Sequence, residues 1–169
     1  MAGKGENNMN ITFIKVTEEY RIPVIDILNY YIENTTSAYR CQKVGYEHYD
    51  KLFDDSVLTA YAVLNEKEVV GFCTLEKYKS ISTFNNSGDM MYFLKKEYTG
   101  KGIGRKILEK LESDAIKKSI KKLVVDISDN NINSIRFHIE NGFREYGRLE
   151  KCWNKMGKDL GIVFMEKEI

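Results

Sequence analysis

The stretch 97-EYTGKGIGRKILEKLE-112 joins two incompatible halves. Gly100, Gly102 and Gly104 alternate with Lys101 and Ile103, and a strongly helical segment follows without a gap. Glycine at every second position weakens a strand and a helix alike, because its backbone loses the most freedom on ordering. Some backbone requirement must hold the glycines there. From Gly102 onward, Ile103, Ile107, Leu108, Leu111 and Ala115 share one helical face, with charges on the other. Upstream, Asp89–Lys96 reads as a strand. A strand entering a glycine turn and then a helix leaves several backbone N–H groups pointing one way. With the helix dipole they make an anion site that a phosphate can approach closely. The spacing is not GxGxxG, and no Lys-Ser or Lys-Thr follows, which argues against a dinucleotide fold or a P-loop. A tight corner whose glycines only permit close packing explains the stretch equally well. Taken alone, it leaves both readings open.

Working outward, "NITFIKVT" is expected as a first strand, with Thr17 as a helix N-cap. "IPVIDILNYYIENTT" reads as a helix with Ile22, Ile25, Leu28 and Ile32 at helical spacing, and "YEHYDKLFDD" as a short second one. "VLTAYAVLNEKEVVGFCTLEKY" is a hairpin turning at Asn65 to Lys67. After the glycine stretch come a buried strand, Lys122–Ser128, and a helix, "NNINSIRFHIEN", stopped by Gly142. Strands around "FREYGRLEKCW" and "LGIVFMEKE" finish the chain. Alternation of strand and helix in the middle implies a parallel pair, and the hairpins imply antiparallel ones. One α/β domain on a mixed sheet is expected over residues 10–169, after a polar tail, 1–9.

The 169 residues suffice for one domain with a real core. Lys plus Arg is 26 against 25 Asp plus Glu, so no global field exists to hold a nucleic acid or an anionic membrane. Cys41, Cys73 and Cys152 are far apart and lack CxxC spacing, which favours a reducing compartment. With only His48 and His138, no metal is expected. No apolar run reaches the length of a membrane span, and the polar start lacks a signal peptide's apolar core, so a soluble cytoplasmic protein is the default.

The second informative element is "NNINSIRFHIENGF". On a helix, Asn131, Ser134 and His138 fall within about 60° of one another, beside a stripe of Ile132, Ile135 and Ile139. A polar row beside a core-facing stripe suits a helix lining a cleft, although Asn131 as a cap and His138 as a partly exposed surface residue would look the same.

At this point the sequence resembles the GNAT superfamily of N-acetyltransferases. "YTGKGIG" is similar to its Gln/Arg-x-x-Gly-x-Gly acetyl-coenzyme A signature, and "NINSIRFHIENGF" to the motif that follows it. "ILNYYIENTTSAYR", and His where Tyr is commoner, resemble the phosphinothricin acetyltransferase branch. Three departures stand out: Thr99 replaces the Gln or Arg, Asp89 stands where the branch has Glu, and the branch's Trp-x-Asp before the last strand is missing.

The resemblance implies a GNAT fold: a single mixed, mostly antiparallel sheet of about seven strands with a splayed parallel central pair and flanking helices. It implies acetyl-coenzyme A as cosubstrate. The pantetheine arm would lie in the splay against the backbone of Tyr92, Phe93, Leu94 and Lys95, and the pyrophosphate on Thr99, Gly100, Lys101, Gly102, Ile103, Gly104 and Arg105, with Asn131 and Ser134 helping. An amine acceptor arrives mostly protonated at neutral pH and needs a base, for which Asp89 is the candidate. His138 would assist the departing thiolate. Direct attack needs no enzyme nucleophile, so Cys73 and Cys152 are read as buried packing residues. Tyr31, Glu33, Asn34 and Thr35 would line the acceptor side. The expected activity is acetyl transfer to the primary amine of a small amino-acid-like acceptor of the phosphinothricin or methionine-analogue type, in a homodimer. A protein N-terminal or lysine acetyltransferase and a non-catalytic coenzyme A sensor are the alternatives.

Overall fold

A computed structural model describes residues 9–169. Of the expected tail, only Met9 falls among them, and it packs against the main core. Seven strands form one sheet in the order β1-β2-β3-β4-β5-β7-β6. They are β1 (Ile11–Lys15), β2 (Val57–Asn65), β3 (Glu68–Lys77), β4 (Ser87–Leu94), β5 (Lys122–Ser128), β6 (Arg144–Lys155) and β7 (Lys158–Glu168). The helices are α1 (Arg21–Asn34), α2 (His48–Leu52), α3 (Ile103–Lys117) and α4 (Ile132–Glu140). Every neighbouring pair of strands is antiparallel except β4 and β5.

Two buried clusters lie on opposite faces of the sheet. On one, Ile103, Ile107, Leu108, Leu111 and Ala115 of α3 pack on Leu75, Leu123, Val125, Val163 and Met165. All five α3 positions anticipated from the sequence are buried. On the other, Val24, Ile25, Ile27, Leu28 and Ile32 of α1 pack around Phe72. The β2–β3 hairpin turns through Glu66 and Lys67, with Glu66 left-handed at φ 57°.

Local expectations needed correcting at several points. Thr17 precedes a short 3-10 turn, Glu18–Tyr20, and its side chain makes no capping bond. Ile25, Leu28 and Ile32 are buried as expected and Val24 and Ile27 join them, but Ile22, in the first turn of α1, is 57% exposed. On α4 the expected stripe holds only at Ile135. Ile132 and Ile139 are each 56% exposed, whereas His138 is 2% exposed. The polar row faces the protein, and the inward apolar contacts come from Ile135 and Phe137. Cys73 is buried as expected, but Cys152 is exposed, on the edge strand β6.

Candidate active site

The central parallel pair is short. β4 meets β5 only at Ser87–Lys122, Gly88–Leu123 and Asp89–Val124. Beyond Asp89, β4 stays on β3 through Leu94 and β5 turns to β7 through Ser128, so the two strands part. The Lys95 amide donates to Val70 O at 2.7 Å, on the β3 side. Backbone groups alternate sides along a strand, so those of Tyr92 and Leu94 face the gap and those of Phe93 face β3. One gap-facing acceptor is already used, since the Tyr31 hydroxyl donates to Leu94 O at 2.6 Å. The Phe93 ring packs with Tyr31 and Phe72 on the α1 face.

At the open end of the gap lies the glycine turn. Gly100 has φ 69° and Gly102, the residue capping α3, has φ 80°. No side chain caps this helix, so its first N–H groups point outward. A Cβ built at Gly100 or Gly102 would meet nothing within 4 Å. Close packing therefore does not explain these two glycines. Their conformation and the open space above them fit a cradle for an anionic group. Gly104 differs, because its Cβ would sit 3.2 Å from the Phe137 ring, which makes it a packing glycine. Around the turn, Thr99 Oγ1 donates to Lys96 O at 2.7 Å, Lys101 Nζ lies over the Tyr98 ring, and Arg105 pairs with Glu109.

Asp89 lies where the strands part. Burial, followed by the charges of Asp126 and Glu76, raises its carboxyl to about 7, against a small opposing hydrogen bond from the Met90 backbone. A carboxylate tuned this way ionises near neutral pH, which suits a general base.

Tyr92 and His138 meet on the α3–α4 face. His138 Nδ1 lies 2.8 Å from Ser134 O, which can only accept, so Nδ1 carries the proton and Nε2 accepts from the Tyr92 hydroxyl at 3.1 Å. Burial lowers the His138 pKa and raises that of Tyr92, so both are neutral at pH 7. Asn131 is engaged too: its Oδ1 accepts from the Ser134 amide at 3.3 Å, and its Nδ2 donates to Ser37 Oγ at 3.0 Å.

The acceptor-side residues anticipated on α1 are dispersed. Glu33 and Asn34 line a hollow on the outer side of α1 with Asp26, Asn29, Tyr30 and Lys43. Thr35 Oγ1 donates to Tyr31 O at 2.8 Å, closing the helix. The segment that reaches the cleft is the next one. Thr36 Oγ1 donates to Asn130 Oδ1 at 2.7 Å, Ser37 receives Asn131, and Lys155 Nζ donates to Ala38 O at 2.7 Å. Tyr39 stands edge-on to Trp153, with centroids 5.0 Å apart, and beside Asp126. Sequence reading reached Thr36, Ser37 and Tyr39 only as part of the stretch "ILNYYIENTTSAYR", and it missed Asp126 and Trp153. The one available signal was the acidic residue inside the apolar strand "KKLVVDIS".

Among the described residues no His, Cys, Asp and Glu cluster could hold a metal, and no helix is long and apolar enough to cross a membrane.

Residues 24–143 match the model of the Acetyltransferase (GNAT) family. The L-amino acid N-acyltransferase of Escherichia coli K12 is 24% identical over 149 residues, 86% of this chain and 87% of that protein. The L-methionine sulfoximine/L-methionine sulfone acetyltransferase of Salmonella typhimurium shows the same identity and coverage. The fold is similar to that of a GNAT superfamily phosphinothricin acetyltransferase from Sinorhizobium meliloti, solved with AcCoA. Its TM-score is 0.88 at 19% identity, over 95% of this chain and 89% of that one.

Proposed function

The chain belongs to the GNAT acetyltransferase family, and we propose that it moves the acetyl group of acetyl-coenzyme A to the primary amine of a small amino-acid-like acceptor. The observation that carries this reading is the parting of β4 from β5 immediately beyond Asp89, with the glycine turn at the open end. Acetyl-coenzyme A would supply an activated acyl group and a thiolate leaving group. Thr99 to Arg105 would hold its pyrophosphate through backbone N–H groups, and the gap-facing backbone of Tyr92 would hold its pantetheine arm.

Asp89, poised near pH 7, takes the proton of the acceptor ammonium, directly or through a water. Tyr92 keeps its phenol proton because burial holds its pKa high, and its hydroxyl, turned from His138 Nε2 toward the departing sulfur, stabilises the thiolate by donating a hydrogen bond without giving up the proton. His138, with both ring nitrogens engaged, acts through Tyr92 as a positioning residue. Asn131 and Ser134 hold His138 and the 36–39 segment. The names of the two curated relatives support an amino-acid-like acceptor. The dispersal of Glu33, Asn34 and Thr35 supports an acceptor wall formed by Thr36–Tyr39 instead.

We read the protein further as a cytoplasmic homodimer joined through its C-terminal strands. The edge position of β6, with Tyr146 and Leu149 exposed, supports that reading. Light scattering tests the dimer, and a monomer with full activity overturns it. The transfer itself is tested by following free thiol from acetyl-coenzyme A against amino acids, amino-acid analogues, diamines and peptides. Turnover of a small amine is expected; peptides turning over at least as well would overturn the acceptor class.

A further inference from the structure

Three carboxylates come together on one face of three neighbouring strands. Asp89 on β4 is the Cα partner of Glu76 on β3 and of Val124 on β5. Asp126 stands two residues beyond Val124, so it projects to the same face. β5 is an interior strand, between β4 and β7. Its Val125 and Ile127 are buried, yet Asp126 is exposed, so the carboxylate opens into the cleft. Glu76 is fixed by Thr74 Oγ1, which donates to its Oε1 at 2.7 Å.

No protein cation balances this group. Among the described residues, ion pairs involve none of the three carboxylates. Several cations on the same strands and on β6 are engaged elsewhere: Lys77 with the Asp55 carbonyl, Lys122 and Arg144 with Glu166, Arg148 with Glu145, and Lys155 with the Ala38 carbonyl. The remaining wall is aromatic. Tyr39 and Tyr146, 41% and 45% exposed, stand by Trp153 and Phe164. Ring faces attract ammonium groups and offer nothing to an anion.

The transferase reading already puts one ammonium beside Asp89. That charge balances one carboxylate and leaves two. An acceptor with an added carboxylate or other anionic side group would meet like charge on both flanks. We propose that the acceptor is an amino-acid-sized amine carrying a second positive charge, selected by Asp126 and Glu76 on either side of Asp89. The proposal rests on the transferase reading and narrows its acceptor class from amino-acid-like amines in general to dicationic ones.

The test is thiol release from acetyl-coenzyme A with four acceptors of similar size: 1,4-diaminobutane, L-ornithine, L-methionine sulfone and L-glutamate. The expected order of kcat/KM is diaminobutane, ornithine, sulfone, glutamate, with about tenfold or more between first and last, and the first should fall with added salt. Asp126→Asn and Glu76→Gln should each lower the diaminobutane-to-sulfone ratio by about fivefold or more. Both replacements keep side-chain size, and an unchanged melting temperature checks the fold. Sulfone or glutamate outpacing diaminobutane overturns the proposal, as do variants that change all four acceptors equally. Thiol release with none of the four, while acetyl-coenzyme A still binds, overturns the transferase reading and the proposal with it.

Discussion

The two sides of the cleft are built from different materials. The proposed coenzyme side is backbone: two left-handed glycines, an uncapped helix start and a strand edge. It depends on what the chain lacks, namely Cβ atoms and a competing strand. The proposed acceptor side is side chains, with carboxylates from β3, β4 and β5 and rings from the 36–39 segment and β6. A backbone site tolerates change in side-chain identity but not in conformation. A side-chain site is the reverse, which lets one fold keep a cosubstrate while its acceptor varies.

The sharpest test of this contrast is Asp89→Asn, which should lower kcat by roughly 10²–10⁴ with little change in coenzyme affinity by calorimetry. The parent's kcat/KM should rise with pH through about 7, as the carboxylate ionises. Asp126→Asn removes a repelling charge, lowers the Asp89 pKa and moves that limb to lower pH. Stability runs the other way. A carboxyl raised above its ordinary value stabilises the fold at low pH and loses that contribution as pH climbs from about 4 to about 7. Asp89→Asn should therefore melt higher than the parent at pH 8, by about 2–4 °C for each kcal/mol relieved. A lower melting temperature there would contradict the buried, crowded carboxylate.

On the backbone side, Gly102→Val should weaken coenzyme binding by roughly tenfold or more and also destabilise the fold by about 1–3 kcal/mol, since a β-branched residue is strained at φ 80°. Unchanged affinity would remove the turn from the coenzyme site. His138→Ala leaves the Tyr92 hydroxyl without its acceptor and should cost about 1–3 kcal/mol in urea denaturation while lowering kcat. A variant as active as the parent would detach His138 from the chemistry. Ser37→Ala is expected to have the smallest effect, roughly 0.5–1.5 kcal/mol, read as a raised acceptor KM at constant kcat. A change in coenzyme affinity instead would blur the division between the two sides.

The same division explains what could be read in the sequence. The sheet, α3 with its five buried positions and the glycine turn were legible because periodicity and glycine spacing are local signals. Asp89 was found by counting back along one strand. Asp126 was not, nor was its meeting with Tyr39, because that depends on how a loop after α1 folds against β5 and β6, and no local pattern encodes it. On α4 the apolar stripe was read correctly at Ile135 and wrongly at Ile132 and Ile139. Ile132 and Ile139 outweighed a histidine in hydropathy, but the hydrogen bond that His138 Nδ1 donates to Ser134 O and the one that Nε2 accepts from the Tyr92 hydroxyl let an imidazole be buried where an unpaired one would not be.

The parallel ladder of three residue pairs has a consequence for exchange with solvent deuterium. Along β4, alternate amides are held by β3, and the others open onto the gap. Protection should therefore alternate residue by residue, with the Phe93 amide slow and those of Tyr92 and Leu94 fast, within a strand that is otherwise continuous. A ligand lying in the gap would slow the fast set and leave the slow set as it was, so β4 reports occupancy of the cleft by the pattern of its amides rather than by any movement of the chain.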